Sequence, residues 1–184
     1  MHIPTPQQLR PLLRPFPFLC SMNDARLLAD LMDHAHAMTM QQAERLQQRD
    51  LHQRFVVNGI ELNSAFWILA HLAVSENWLI LRGTNGPFQK FSWAKQFTLG
   101  ATPPAPAECP PFEEIMSTLE RVHRLAVDHV AGLSDADLAS PHHARMDLDS
   151  GADMRAVIHH HIRHVNMHNG QLAWLCKLHG LPTI

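Results

Sequence analysis

Tyrosine is absent from the 184 residues of this chain, and only 3 cysteines are present. No tyrosine can therefore act as a general acid, a general base or a stacking platform. The cysteines Cys20, Cys109 and Cys176 stand far apart and form no CxxC pair. This pattern argues against a disulfide framework and favours reduced thiols in a cytoplasmic protein.

The chain also lacks a cluster of one charge and a long apolar run. Its net charge is −2 at pH 7 with histidine neutral, and no basic stripe is present, so we expect no nucleic-acid partner. The most apolar stretch, residues 66–81, contains His71, Ser75, Glu76 and Asn77. It is too short and too polar to span a bilayer, so we expect no membrane-spanning segment.

The overall composition is that of a globular protein. Hydrophobic residues make up 46% of the chain and charged residues 17%. This length fits one domain with a sizeable core, so we expect a single domain over residues 1–184. Five prolines interrupt residues 1–20, which we interpret as a proline-rich N-terminal segment without the features of a signal peptide.

Histidine is the residue that stands out, with 15 copies. Five of them lie in residues 159–168, and His164 and His168 are one helical turn apart on one face. That face should be the buried stripe of an amphipathic helix. Because burying several imidazoles is costly without partners, a metal ion shared between rings is one way to satisfy them.

Four segments have helical periodicity, and no sustained strand pattern is present, so the sequence predicts an all-α fold. In the first helix the apolar face is expected to include Leu27, Leu31, Ala35, Met38 and Leu46. The four predicted helices run from residues 21–24 to about 48, from 63–64 to about 82, from about 112 to 133, and from about 152 to 180.

Two connections carry further signals. Asn58-Gly59 between short apolar runs is typical of a tight hairpin turn. Residues 83–112 form a long connection, with a short helix expected near residues 92–97. A crossover of this length is what a bundle needs when its second and third helices run parallel. We expect both segments to border the mouth of a pocket.

The buried faces of two predicted helices carry three histidines. His71 lies in the middle of the second helix, and His164 and His168 lie on the fourth. Three neutral imidazoles suit zinc, nickel or a similar divalent ion, with a fourth position left for water. The alternative is a set of core histidines satisfied by carbonyls, water or carboxylates. His36 is interpreted as a surface or half-buried histidine.

Residues 63–73 (NSAFWILAHLA) resemble the second-helix motif of the DinB-like superfamily, and residues 164–172 (HVNMHNGQL) resemble its fourth-helix motif, with a similar linker at residues 132–138. The resemblance implies an up-down-down-up four-helix bundle, a homodimer, and a metal site formed by His71, His164 and His168. Members include transferases and isomerases that use a low-molecular-weight thiol as co-substrate. Val165 stands where the family usually has an acidic residue.

These observations lead to two functional hypotheses. The first is an enzyme that acts on small molecules, either a thiol-dependent S-transferase or a metal-dependent hydrolase. His160, His161, Gln171 and His129 are the candidates to support the ligands or to orient a substrate. Glu76 lies off the face of His71 and is interpreted as a solvated or capping carboxylate. The second hypothesis is a non-catalytic bundle whose metal or ligand has a structural or regulatory role.

Overall fold

The computed structural model describes residues 23–148 and 151–182, and this part of the chain is mostly helical. The prediction of an all-α fold is confirmed, since the sheet in the described residues is a single two-stranded hairpin. The proline-rich segment, residues 1–20, lies outside the described residues. The elements are α1 Asp24–Leu46, β1 Val56–Val57, β2 Ile60–Glu61, α2 Ala65–Glu76, α3 Phe112–Ala131, the short α4 Asp135–Leu138, and α5 Met154–Leu178.

Polar side chains start the helices at the predicted places. The Asn23 side chain accepts a hydrogen bond from the backbone N–H of Arg26 at 3.0 Å and caps α1. Asp153 accepts one from the backbone N–H of Ala156 at 2.8 Å and caps α5. Each cap satisfies a backbone donor that has no partner within its helix. These local contacts explain why the helix starts could be recognised in the sequence.

The predicted buried face of α1 is confirmed at Ala35 and Leu46, which are 3% and 0% exposed, and is wrong at its other three positions. Leu27, Leu31 and Met38 are 44%, 44% and 42% exposed. The buried face is rotated and includes the polar residues Thr39 and Gln42. Their side chains pair with α5, since the Thr39 hydroxyl donates to Asn169 at 2.7 Å and the Cys176 thiol donates to Gln42 at 3.1 Å. A prediction of buried positions from hydrophobicity alone leaves out Thr39 and Gln42, because both side chains are polar.

Helix α2 is enclosed on all sides. All twelve of its residues are buried, and the helix continues as a π-helix over Asn77–Arg82. The Ser64 side chain caps its start by accepting from the backbone N–H of Trp67 at 3.2 Å. The apolar surface around α2 is therefore covered within one chain, and it provides no argument for a second copy.

The two connections are ordered. Strands β1 and β2 pair antiparallel around Asn58 and Gly59, whose φ angles of 51° and 79° fit the predicted turn. The long connection contains 3-10 helices at Ala94–Phe97 and Pro106–Glu108. Phe97 is buried with 1% exposure, so the connection packs against the helices. No helix in the described part of the chain is long and apolar enough to cross a bilayer.

Candidate metal centre

Three histidines from two helices meet in the protein interior. His71 comes from α2, while His164 and His168 come from successive turns of α5. The Nε2 atom of His164 lies 3.2 Å from Nε2 of His71 and 3.1 Å from Nε2 of His168. His71 and His168 are each 5% exposed, whereas His164 is partly exposed. The fold thus brings together side chains that are 93 positions apart in the sequence.

Hydrogen bonds on the opposite side of two rings fix their orientation. The Nδ1–H group of His71 donates to the backbone oxygen of Phe97 at 2.8 Å. The Nδ1–H group of His168 donates to the side-chain oxygen of Gln171 at 2.7 Å. In a neutral imidazole the other nitrogen then carries a lone pair, so both Nε2 atoms are acceptors aimed at His164. Metal-binding histidines are typically held by such bonds.

The environment keeps these rings neutral. Burial, followed by repulsion from His168 and His71, lowers the pKa of His164 from 6.5 to about 2. Burial and then the charge of His71 lower the pKa of His168 to about 4. Burial also lowers the pKa of His71, although its bond to Phe97 opposes the change. Neutral rings have the lone pairs that a metal ion requires.

The spacing of the three nitrogens fits a divalent ion. Zinc–nitrogen bonds of about 2.05 Å in a tetrahedral site separate neighbouring nitrogens by about 3.3 Å. The two measured separations are close to this value, and one ligand atom from each histidine lies within 4.8 Å of the others. Without a cation, a single Nε2 proton on His164 would have to serve two acceptor nitrogens. The cluster can therefore hold a metal ion.

Comparison with known families agrees with this geometry. The family model described as the DinB superfamily matches residues 31–172, which is most of the chain. The chain belongs to the DinB superfamily. No curated protein matches it. The predicted family is thus confirmed, while metal binding at the three histidines stays a prediction.

One feature of this DinB-superfamily chain concerns the support of His164. Its Nδ1 atom is buried and has no hydrogen-bond partner among the described residues. The next residue, Val165, is apolar and 7% exposed, at the position where an acidic residue was expected from the resemblance. His160 stacks near the ring of His164, with ring centroids 6.3 Å apart. His164 is therefore held by packing more than by a hydrogen bond.

The other predicted support residues fall in different places. Gln171 is exposed and holds His168 by the bond described above. His129 donates through Nε2 to the backbone oxygen of Thr84 at 3.0 Å, so it anchors the loop that follows α2. No described contact joins His129 to the three histidines. His161 is buried and lies with its Nε2 atom 3.4 Å from Glu76.

The interpretation of Glu76 as a solvated or capping residue is wrong. Its side chain is buried and accepts a hydrogen bond from Nδ1 of His123 at 2.9 Å. His36 stacks on the ring of His123, with ring centroids 3.7 Å apart. Sequence reasoning missed this cluster because its members come from different helices and show no helical spacing. The available signal was that Glu76 ends an otherwise apolar helix.

Proposed function

We propose that this chain is a metal-dependent enzyme that transfers a thiol to small electrophilic molecules, and that its helices form one up-down-down-up bundle. The pairing of α1 with α5 supports the topology. Arg155 near the start of α5 binds Asp24 at the start of α1 at 3.0 Å. Towards the ends of the same helices, Cys176 binds Gln42. The start of α1 thus contacts the start of α5, and the end of α1 contacts the end of α5. This order of contacts fits two parallel helices.

Contacts between α2 and α3 support the remaining part of the topology. Phe66 near the start of α2 packs on Phe112 at the start of α3, with ring centroids 6.3 Å apart. Glu76 at the end of α2 binds His123 in the second half of α3. These pairs also advance together, so the connection at residues 83–111 serves as the crossover between parallel helices. One domain then covers the described residues.

The observation that carries the catalytic proposal is the convergence of three Nε2 atoms from His71, His164 and His168. Three imidazoles leave a fourth ligand position open, and they suit zinc or nickel among the divalent ions. A divalent ion held there would lower the pKa of a bound thiol or water. With such an ion held by the three histidines, a thiol that has released its proton to solvent would be able to attack an electrophilic carbon. A carbon–sulfur bond would form and the leaving group would depart with its electron pair.

The residues around the three histidines would supply positioning. The backbone oxygen of Phe97 and the side chain of Gln171 hold His71 and His168 in place. The indole of Trp67 stacks on His71 at 4.7 Å, nearly parallel, and limits the movement of its ring. Rigid supports of this kind keep catalytic ligands in the productive geometry.

A groove whose lining includes residues one helical turn from His71 and His168 supports a small-molecule substrate. Its volume is about 490 Å³, within the range of ligand-binding sites. Ile68, three residues before His71, and Gln171, three residues after His168, both line it. The remaining wall is largely apolar, and is formed by Val57, Leu62, Trp174, Leu175 and Leu178, together with Glu61 and Asn63. We therefore expect a substrate with an apolar group.

A hydrolase would use the same histidines, with water in place of the thiol. The experiment is to load the protein with zinc or nickel and to incubate it with low-molecular-weight thiols and electrophilic substrates. Loss of free thiol that requires both the metal and His168 supports the transferase. Substrate cleavage without thiol loss supports the hydrolase instead. Metal binding without turnover of either kind favours the non-catalytic alternative.

A further inference from the structure

A second cluster of titratable side chains lies in the interior, and each of the four long helices contributes to it. His36 comes from α1, Glu76 from the end of α2, His123 from α3 and His161 from α5. One ligand atom from each of His36, Glu76 and His123 lies within 4.8 Å of the others. None of these residues belongs to the first candidate centre.

The carboxylate of Glu76 is the centre of this cluster. The residue is 3% exposed, and its Oε1 atom lies 2.9 Å from Nδ1 of His123 and 3.4 Å from Nε2 of His161. Hydrogen bonds from these histidines outweigh the effect of burial and lower the pKa of Glu76 to about 2, so the carboxylate is ionised. A buried carboxylate requires a positive partner, which the imidazoles supply in the metal-free protein and which a metal ion bound by the same imidazoles would supply instead.

The space around Glu76 and an imidazole nitrogen left unpaired by the described residues suit a small cation. A cavity of about 10 Å³ is lined by His36, Glu76, His123 and His161, together with Thr39 and apolar side chains. This is about the room that one water molecule or ion occupies. The Nδ1 atom of His161 is buried and has no partner among the described residues. With the Nε2 proton of His161 directed at Glu76, this Nδ1 atom carries a lone pair that no described residue uses, and a lone pair is what a cation binds.

A further carboxylate stands behind His123. Its Nε2 atom lies 2.9 Å from the Oδ1 atom of Asp33, whose side chain is 60% exposed. In the metal-free protein His123 donates to both carboxylates; an ion that displaced the Nδ1 proton would face the Nδ1 lone pair, while Nε2–H would still donate to Asp33. This carboxylate–histidine arrangement is typical of metal-binding histidines. Asp33 is exposed and His36 is half-buried, so these two residues lie on the solvent side of the cluster.

We propose that His36, Glu76, His123 and His161 form a second site for a divalent metal ion, with Asp33 as the outer carboxylate. Three imidazoles and one carboxylate are a set that suits zinc. Because four protein groups fill the coordination shell, the ion is structural, and it links α1, α2, α3 and α5. His36 now lies parallel to His123 within 4°. Its ring must therefore turn when the ion binds, so that its lone pair points at the same place.

The test is isothermal titration calorimetry with zinc at pH 7.5, on the full chain after a chelator has removed its metal. In His168→Ala the first centre is impaired, and we expect one zinc ion per chain to remain bound. Adding Glu76→Gln should abolish that binding, because the amide supplies no charge. Glu120→Gln, which changes an exposed carboxylate on α3, is the matched control and should keep the ion.

His36→Ala is a second variant for the case in which Glu76→Gln fails to fold, since His36 is only half-buried. It should weaken zinc binding at least tenfold in the His168→Ala background. Circular dichroism should show a folded chain in each variant used. Absence of zinc binding in folded His168→Ala would overturn the proposal. Binding that survives in both Glu76→Gln and His36→Ala would also overturn it.

Discussion

Replacing Glu76 by Gln should destabilise the metal-free protein by about 3 kcal/mol at neutral pH. The fall in the pKa of Glu76 from 4.5 to about 2 corresponds to this amount, because each pKa unit is worth about 1.4 kcal/mol. Removing one partner of a buried ion pair has a similar cost in stability, of about 3–5 kcal/mol. Glutamine keeps the size of the side chain, so the loss measures the charge and its hydrogen bonds.

The pH dependence of this loss gives a second check. The stabilisation by Glu76 is complete above pH 4.5 and disappears as the pH falls towards 2. Burial lowers the pKa of His123, but its bonds to Glu76 and Asp33 outweigh this and raise it above 6.5. The contribution of His123 is therefore present below pH 6.5 and is lost as the pH rises through its raised pKa. The difference between wild type and Glu76→Gln should be largest between about pH 5 and 6.5.

The assay measures the free energy of unfolding by urea denaturation at several pH values in the presence of a chelator, with circular dichroism as the signal. Glu120→Gln is the control, because its carboxylate is exposed and such changes usually alter stability by less than about 0.5 kcal/mol. A loss in Glu76→Gln as small as that of the control, or a difference that does not vary with pH, would refute the reasoning.

Three further predictions concern the core, the histidines and the assembly. Leu69→Ala should cost about 2–5 kcal/mol in urea denaturation, because Leu69 is 0% exposed, whereas Leu99→Ala at 88% exposure should cost little. The metal-free protein should lose stability as the pH falls below 6.5. The pKa values of His36, His164 and His168 are lowered in the folded chain, so the unfolded chain binds protons at a higher pH than the folded chain does. A free energy of unfolding that stays constant from pH 7 to 5 would contradict this. Sedimentation should show a homodimer, with Leu27 and Leu31 of α1, each at 44% exposure, among the apolar side chains that a second copy could cover. A monomer at high micromolar concentration would be the contrary result.

Local signals predicted the helices well, because caps and turns depend on neighbours in the chain. Ser64, Asp153 and the Asn58-Gly59 turn each act within a few residues. The three histidines of the first centre were recognisable for a similar reason. His164 and His168 share one helical face, and His71 interrupts an apolar helix.

The second cluster and the buried face of α1 could not be predicted in this way. Thr39 and Gln42 are buried because they pair with Asn169 and Cys176, more than 100 positions away. Glu76 is buried because His123 reaches it from another helix. In each case a tertiary hydrogen bond removes the cost that polarity alone would predict.

The most direct test of the first metal centre is the metal content per chain, by elemental analysis after dialysis, for wild type, His168→Ala and His34→Ala. His168 faces His164 at 3.1 Å, whereas His34 is exposed and donates through Nδ1 to the backbone oxygen of Asp30. We predict one metal ion fewer per chain in His168→Ala, because two histidines rarely hold a divalent ion. His34→Ala should match the wild type. Undiminished metal in His168→Ala, or an equal loss in His34→Ala, would contradict the assignment of His71, His164 and His168 as the metal ligands.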